Sequence, residues 1–212
     1  MKQVSEKVVS RLIIYRKYLK ELLADGQKSI FSHKISAYTG ASAAQVRRDL
    51  MNVGYNGTPV KGYNIKDLMT SISEFLEKEN TIEVAIVGFG NLGKSIVDYC
   101  NGRNSRLSIS AAFDTDPNKI NRVIHGCHCY ANTEMETIIK ENKVEVAILA
   151  VPREDAQKVA DKLVACGIKG ILNYSPTRLQ VPANIYVENR DMLMALEKVA
   201  YFANNVHGGK NK

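Results

Sequence analysis

The sequence has 212 residues, of which 45% are apolar, and it carries a formal net charge of +7 at pH 7. This length allows one large domain or two small ones, and the apolar content excludes a wholly disordered chain. No apolar run approaches the roughly 18 residues of a membrane span, and the N-terminal stretch MKQVSEKVVSRL lacks the apolar core of a signal peptide. We therefore expect a soluble, cytoplasmic protein without a membrane partner.

The positive charge is concentrated in the first third of the chain. Residues 1–61 contain 11 Lys and Arg against 4 Asp and Glu, whereas residues 62–212 contain 18 of each class. A basic module joined to a neutral one is typical of a protein that binds a polyanion through one domain. The alternative is a solvated basic face with no partner.

Two helices are predicted at the start of the chain. An apolar stripe over 4–24 predicts a helix that ends at Asp25-Gly26. The stripe consists of Val8, Leu12, Tyr15, Leu19, Leu22 and Leu23. Ser32 is predicted to cap a second helix over 33–39, which ends at Gly40.

A third helix is predicted over 43–52, with Ser42 as its N-cap and Gly54 after its end. Only a Thr-Gly-Ala turn separates it from the second helix, so the pair reads as a helix-turn-helix with the third helix facing DNA. The expected DNA contacts lie at its start and on its charged face: Ser42, Gln45, Arg47 and Arg48.

A hairpin and a further helix complete the first predicted domain. Residues 55–65 (YNGTPVKGYNI) contain Asn-Gly and Lys-Gly-Tyr, which favour a tight hairpin, and an amphipathic helix follows over 66–80. A helix-turn-helix followed by a hairpin is a winged helix, so we predict a winged-helix DNA-binding domain over 1–80.

From residue 81 the pattern changes to alternating buried strands and helices. The predicted strands are 82–87, 107–113, 144–150, 168–173 and 185–187, and the predicted helices are 91–101, 133–141 and 153–166. This rhythm predicts an α/β Rossmann domain with a doubly wound parallel sheet over 81–188.

The C-terminal segment 189–205 is predicted to contain one more helix, over 190–204. Its wide apolar stripe suits a dimer interface, although packing back onto its own sheet is the alternative. The tail 206–212 is expected to be disordered.

A glycine-rich segment follows the first strand of the second domain. Residues 88–95 read GFGNLGKS and fit both the dinucleotide fingerprint G-x-G-x-x-G and the nucleotide hydrolase P-loop G-x-x-x-x-G-K-[ST]. Either motif directs backbone N–H groups and a helix N-terminus at phosphate groups. An anion-binding site is therefore expected in both cases.

Residues outside the loop favour the dinucleotide. Gly90 allows a pyrophosphate to approach the backbone, which a P-loop does not require. Asp114 ends the second strand, where an acid can bond the adenosine ribose hydroxyls, and no Arg follows it to accept a 2′-phosphate. We expect NAD⁺ or NADH rather than the phosphorylated forms.

Catalysis is not expected. The residues after position 81 suffice for the cofactor fold but leave no substrate domain, and the candidate proton-transfer groups His125, His128 and Tyr174 are isolated in the sequence. The protein is predicted to bind the cofactor without transforming a substrate.

The segment His125-Gly126-Cys127-His128-Cys129 holds four nitrogen or sulfur ligands within five residues. So tight a cluster rarely completes a tetrahedral zinc site, and no second ligand pair exists. A structural zinc ion and a redox-active thiol remain alternatives to an ordinary loop, which is the default. No metal is predicted.

These segments together resemble the Rex family of redox-sensing transcriptional repressors over almost the whole chain. The most specific matches are AAQVRRDL and GIKGILNYSP, supported by GFGNLG, AAFDTDP and VENRDMLMALEKVAYF. The resemblance implies a homodimer that binds operator DNA when NADH is low and leaves it when NADH is high. It also implies a C-terminal helix swapped between subunits.

The resemblance also assigns roles to single residues. Pyrophosphate contacts would come from Gly88, Gly90, Asn91, Leu92 and Gly93, ribose contacts from Asp114, and nicotinamide contacts from Val151, Pro152, Asn173 and Pro176. Tyr99 and Asp191 match an intersubunit contact of the NADH-bound state.

The chain departs from the family at two positions. Asn91 stands where some members have an Arg that pairs with the acid corresponding to Asp191. The wing differs from the family pattern T-R-G-x-G-Y, so a minor-groove contact would depend on Lys61. The competing hypotheses are an NAD-dependent oxidoreductase with a basic N-terminal extension and a P-loop ATPase-type regulator.

Overall fold

The computed structural model describes residues 4–58, 61–76, 81–102 and 106–206. The chain divides into two units, Met1–Asn80 and Thr81–Lys212. No helix within the described ranges is long and apolar enough to cross a membrane.

The described residues of the first unit form four helices and a two-stranded sheet. In chain order these are α1 (Glu6–Ala24), β1 (Ser29–Ile30), α2 (Ser32–Thr39), α3 (Ala43–Asn52), β2 (Tyr63–Asn64) and α4 (Ile65–Leu76). Its core is apolar and comes from every helix, through Leu12, Tyr15, Leu19, Ile35, Val46, Leu50, Leu68 and Ile72. The helix-turn-helix pair is confirmed.

Two local predictions in this unit are wrong. Ser32 is the first residue of α2 rather than its cap, because the extended residue before it is Phe31, whose side chain makes no capping bond. Leu23 is 36% exposed, because the buried stripe of α1 passes through its neighbour Leu22. By contrast, Gly40 ends α2 in the left-handed region at φ 71°, as predicted.

The hairpin is smaller than predicted. A single antiparallel bridge joins Thr58 and Gly62, and β2 pairs with β1 rather than with the strand before the turn. Residues 59–60 and 77–80 lie outside the described ranges, so the predicted end of the helix over 66–80 lies there as well.

The second unit contains a seven-stranded sheet with the order β5-β6-β4-β3-β7-β8-β9. The strands are β3 (Ile82–Val87), β4 (Leu107–Asp114), β5 (Arg122–Ile124), β6 (Cys127–Ala131), β7 (Val146–Leu149), β8 (Gly170–Asn173) and β9 (Tyr186–Asn189). All pairs are parallel except β5 with β6. The predicted doubly wound sheet is present, with two additional strands.

Four α-helices accompany this sheet: α5 (Asn91–Cys100), α6 (Met135–Glu141), α7 (Arg153–Ala165) and α8 (Met192–Val206). A 3₁₀ turn, Asn132–Glu134, begins the segment that was predicted to be helical from 133. The ends of β3, β4 and β7 meet at one edge of the sheet, which is where ligands bind in folds of this kind.

The strands β5 and β6 correct the prediction of an ordinary loop at His125–Cys129. They form an antiparallel hairpin whose turn residues His125 and Gly126 both have positive φ. Cys127 and Cys129 alternate inward and are buried against β3 and β4. The hairpin was missed because its alternation is short and is interrupted by turn-forming residues.

The side chains of the helix α8 are exposed in the described part of the chain. Every described side chain from Met192 to Asn204 is exposed, and the large apolar ones are 55 to 68% exposed. Asp191 caps the helix by accepting hydrogen bonds from the N–H groups of Leu193 (2.9 Å) and Met194 (3.0 Å). The helix therefore does not pack back onto its own sheet, which was the alternative to a dimer interface.

Candidate cofactor and DNA-binding sites

The glycine loop joins β3 to α5 and opens toward solvent at one position. A Cβ atom on Gly88 would meet the Ala150 carbonyl oxygen at 2.3 Å, and one on Gly93 would meet the Gly88 carbonyl oxygen at 2.3 Å. A Cβ atom on Gly90 would meet nothing within 4 Å. Gly88 and Gly93 therefore serve the close packing of helix and strand, and Gly90 leaves space for a phosphate to approach the backbone.

A cavity of about 690 Å³ lies beside this loop at the carboxyl edge of the sheet. Five predicted cofactor residues line it: Gly88, Gly90, Asp114, Val151 and Pro152. Residues that the sequence reasoning missed also line it, notably Lys119, Asn132, Thr133, Asp155, Lys158 and Lys162. These three lysines outnumber the two acids of the lining, Asp114 and Asp155, so the cavity carries a net positive charge that suits an anionic ligand.

Asp114 is bonded to the glycine loop. Its Oδ2 accepts hydrogen bonds from the N–H of Phe89 (2.8 Å) and from Lys119 Nζ (2.9 Å), and its Oδ1 accepts from the N–H groups of Thr115 and Asp116. Burial opposes ionisation, but the bonds from Lys119 and the backbone outweigh it and lower the pKa of the Asp114 carboxyl. Asp114 is therefore an ionised acceptor at the mouth of the cavity.

Lys119 modifies the argument for cofactor choice. The sequence offered no Arg directly after Asp114, yet the turn before β5 brings Lys119 Nζ to its carboxylate. Because the two charges neutralise each other, the cation is not free to attract a 2′-phosphate while Asp114 is present. The path of the turn between Asp114 and Lys119 could not be predicted from the sequence, so this ion pair could not be predicted either.

Asn173 and Pro176 do not line the cavity. Asn173 is 1% exposed, and its amide bonds the Thr177 carbonyl, the Asn189 side chain and the Ser175 N–H. Pro176 is exposed. Asn173 contacts the cavity lining only indirectly. It accepts a hydrogen bond from the Ser175 N–H, and Ser175 Oγ donates a 2.6 Å hydrogen bond to the carbonyl of Val151, which lines the cavity.

The remaining predicted loop residues also lie off the lining. Asn91 and Leu92 are exposed in the first turn of α5, and Gly93 is buried behind the loop. Their N–H groups belong to the helix terminus that favours an anion. The P-loop residues Lys94 and Ser95 do not line the cavity either, and Ser95 Oγ donates to the Asn91 carbonyl within the helix.

The charged face of α3 carries the predicted DNA contacts. Ser42 accepts a 3.2 Å hydrogen bond from the Gln45 N–H, so its side chain caps the helix as predicted. Arg47 and Arg48 are exposed, the first donating to Ser32 Oγ (3.2 Å) and the second to Gln45 Oε1 (3.1 Å). Both guanidinium groups lie on a solvent-facing helix surface.

Lys61 lies at the hairpin turn. Its side chain is exposed, and its backbone N–H bonds Thr58 Oγ1 at 3.1 Å. The turn is thus held by a side-chain bond as well as by the bridge from Thr58 to Gly62, which keeps Lys61 at the tip.

The two cysteines of the hairpin, Cys127 and Cys129, are buried thiols. Burial raises the pKa of both Cys127 and Cys129 to about 11. Among the residues that the structure describes, no group of three His, Cys, Asp or Glu side chains converges as a metal site. The burial of both thiols disfavours the redox-active thiol that the sequence left open.

We expect Cys127 and Cys129 to resist a thiol reagent in the folded protein. A thiol with a pKa of about 11 is ionised roughly a hundredfold less at neutral pH than one with a pKa of about 9, and burial further restricts access. Labelling at pH 7.5 followed by peptide mapping measures this directly. Rapid labelling of either cysteine, compared with protein unfolded in guanidinium as the control, would contradict the buried placement.

Comparisons with known proteins agree with this arrangement. Residues 3–50 match the family described as "Putative DNA-binding protein N-terminus", and residues 79–177 match the CoA binding domain family. The redox-sensing transcriptional repressor Rex of Listeria welshimeri is 35% identical over 203 residues, covering 96% of this chain and 94% of its own. Rex of Carboxydothermus hydrogenoformans is 37% identical, covering 94% and 96%.

The chain belongs to the Rex family of redox-sensing transcriptional repressors. The crystal structure of RSP, a Rex-family repressor, in complex with β-NAD⁺ and operator DNA superposes with a TM-score of 0.88 at 33% identity and full coverage of both chains. RSP in complex with β-NADH gives a TM-score of 0.86 at 34% identity, covering 98% of this chain and 97% of that chain. Rex proteins are repressors rather than enzymes, as predicted for this chain.

Proposed function

We propose that this Rex-family chain is a cytoplasmic, homodimeric repressor that binds operator DNA when NADH is scarce and leaves the DNA when NADH binds. The main observation in support of the proposal is that one chain has two candidate binding sites. One is the cavity between the glycine loop and Asp114, and the other is the exposed arginine face of α3. RSP has been captured with β-NADH, and with β-NAD⁺ together with operator DNA.

The cofactor residues fit a dinucleotide. The open backbone at Gly90 and the N-terminus of α5 would hold the pyrophosphate. The ionised Asp114 would accept the adenosine ribose hydroxyls in place of its bond from Lys119, whose flexible side chain can swing into solvent. The bond from the Phe89 N–H would keep Asp114 attached to the loop meanwhile.

Discrimination between the two redox states must come from the nicotinamide end. The oxidised and reduced cofactors share phosphates and riboses, and only the oxidised ring carries a positive charge. Val151 and Pro152 line the cavity with apolar groups, and burying a charged ring beside them is costly. Each tenfold preference for NADH corresponds to about 1.4 kcal/mol.

Titration with NADH in the presence of DNA tests the proposal. A short duplex selected from a random pool by the cofactor-free protein serves as the operator probe, and a shuffled duplex as the control. We expect NADH to weaken binding of the selected duplex more than NAD⁺ does. By linkage, the selected duplex must weaken NADH binding by the same factor. Saturation with NADH without a change in duplex affinity would contradict the proposal.

The same titration separates the competing functions. NADPH, ATP with Mg²⁺, and coenzyme A are added in parallel, since the second unit also matches the CoA binding domain family. Magnesium-dependent ATP binding would support a P-loop regulator, and substrate-dependent hydride turnover would support an oxidoreductase. We expect neither.

A further inference from the structure

The carboxylate of Asp49 on α3 lies at the centre of a buried hydrogen-bond network. The side chain is 0% exposed, yet it is charged and sits on the helix that carries the DNA-facing arginines. Its Oδ2 accepts from Arg11 Nε (2.6 Å) and from Tyr15 OH (2.9 Å), and its Oδ1 accepts from Arg11 Nη2 (2.8 Å). These bonds tie α3 to α1, 34 to 38 residues away in the chain.

Gln45 supplies the remaining bond to this carboxylate. Its Nε2 donates to Asp49 Oδ1 at 2.8 Å, one helical turn away. An ionised carboxylate can only accept, so the amide of Gln45 must present its nitrogen inward and its oxygen outward. Burial opposes ionisation of Asp49, but the bonds from Arg11, Gln45 and Tyr15 outweigh it and lower the pKa of the carboxyl, which keeps it an acceptor.

The outward oxygen of Gln45 holds an arginine. Gln45 Oε1 accepts a 3.1 Å hydrogen bond from Arg48 Nη2. Both ends of the amide are thus engaged within the protein, so a bidentate contact of Gln45 with adenine would have to share or replace these bonds. The prediction that Gln45 itself contacts DNA stays a prediction, and the bond to Arg48 gives this side chain a role within the protein as well.

We propose that Asp49 is a positioning residue for operator recognition, which acts through Gln45 to fix the guanidinium of Arg48 before DNA binds. The proposal rests on the proposed function. Arg47 is outside this chain of bonds, because it donates to Ser32 instead. An arginine that is already ordered loses less conformational entropy on binding, at about 0.5–1.5 kcal/mol for a long side chain, which is roughly two- to tenfold in affinity.

A double-mutant cycle tests the link between Gln45 and Arg48. Gln45→Met keeps the length of the side chain and removes both bonds. We expect it to weaken the selected duplex about three- to tenfold, and to have less than a twofold effect in the background of Arg48→Ala. In the background of Arg47→Ala, the matched control, the full effect of Gln45→Met should remain.

A second variant tests Asp49 itself while preserving the fold. Arg11→Met and Asp49→Leu together replace the buried ion pair by apolar groups of similar volume, a change that is often neutral or stabilising. Tyr15→Phe is included in the same variant, because the buried Tyr15 hydroxyl would otherwise lose its acceptor. We expect the melting temperature and NADH affinity of this variant to stay close to wild type. Its affinity for the selected duplex should fall by the same factor as in Gln45→Met. In the background of Arg48→Ala, this loss of affinity should be absent, as it is for Gln45→Met.

The outcomes distinguish the inference from the function on which it rests. If the wild-type protein does not prefer a selected duplex to a shuffled one, the proposed function fails. If it does, the inference is overturned by any of three results: no effect of Arg48→Ala, additive effects of Gln45→Met and Arg48→Ala, or wild-type affinity of the variant that combines Arg11→Met, Tyr15→Phe and Asp49→Leu. If the variants lose affinity equally for the selected and the shuffled duplex, the network has only a structural role, and this result would also overturn the inference.

Discussion

Asp114→Ala should leave a repressor that remains on its operator at NADH concentrations that release the wild-type protein. The substitution removes a buried, ionised acceptor from the cavity that we propose for NADH. Hydrogen bonds to a charged group contribute about 1.5–3 kcal/mol each, so the loss of the ribose contacts should weaken NADH roughly a hundredfold. Fluorescence titration of NADH, with and without the selected duplex, measures the change.

NADPH provides the second measurement on this variant. Without Asp114, the ammonium group of Lys119 keeps only its more distant carboxylate partner Asp116, at 3.6 Å, and is available to attract a 2′-phosphate. We therefore expect the preference for NADH over NADPH to shrink or reverse. Lys119→Ala is the matched control, because it retains the acceptor and should not gain NADPH affinity. Unchanged NADH affinity in Asp114→Ala, with operator binding intact, would contradict the assignment.

The Asp114 carboxylate also predicts how NADH binding depends on pH. Its pKa is lowered in the folded protein, so the group remains an acceptor as the pH falls from neutral toward its usual titration range. Loss of this contact should begin only below that range. No weakening of NADH binding between pH 8 and about pH 5 is therefore expected from Asp114.

Leu196→Glu combined with Val199→Glu should convert the protein from a dimer to a monomer and abolish operator binding. The two side chains lie one turn apart on α8, and each is 64% exposed in the single chain. Such substitutions cost little in a solvated helix. At a dimer interface, each buried carboxylate costs several kcal/mol, which would weaken association by roughly a thousandfold or more.

Sedimentation equilibrium, together with binding of the selected duplex, measures this effect. Lys198→Glu is the matched control, since it alters the net charge by the same amount on the same helix. Substitution is preferable to truncation at Glu188, because β9 continues through Asn189 and pairs with β8. A double variant that stays dimeric with wild-type operator affinity would overturn the assignment of α8 as the dimer helix.

Several features of the fold could be predicted because they depend on residues close together in the chain. The glycine loop is an example: the spacing of Gly88, Gly90 and Gly93 sets where helix and strand can approach, and the cavity lies beside them. The cap at Ser42 is another, since its partner is only three residues away. The apolar stripe on α8 follows from helical periodicity, whereas its exposure in the single chain was seen only in the structure.

Other features depended on the fold. Lys119 reaches Asp114 only because a turn reverses the chain before β5, and the amide of Asn173 serves a buried loop rather than the cavity. The orientation of Gln45 follows from Asp49, whose remaining partners come from α1.

The amino-acid sequence by itself determined the two-part organisation, the alternation of strands and helices, the glycine loop and the helix that carries the exposed arginines, because each depends on short-range periodicity, spacing or charge. The tertiary structure decided how the polar side chains are used. A buried carboxylate or amide must find partners, and which groups satisfy it depends on the elements that packing brings beside it. The sequence therefore identified Gln45 and Asp114 as residues of interest, whereas only the fold showed that one is hydrogen-bonded to Arg48 and the other is paired with Lys119.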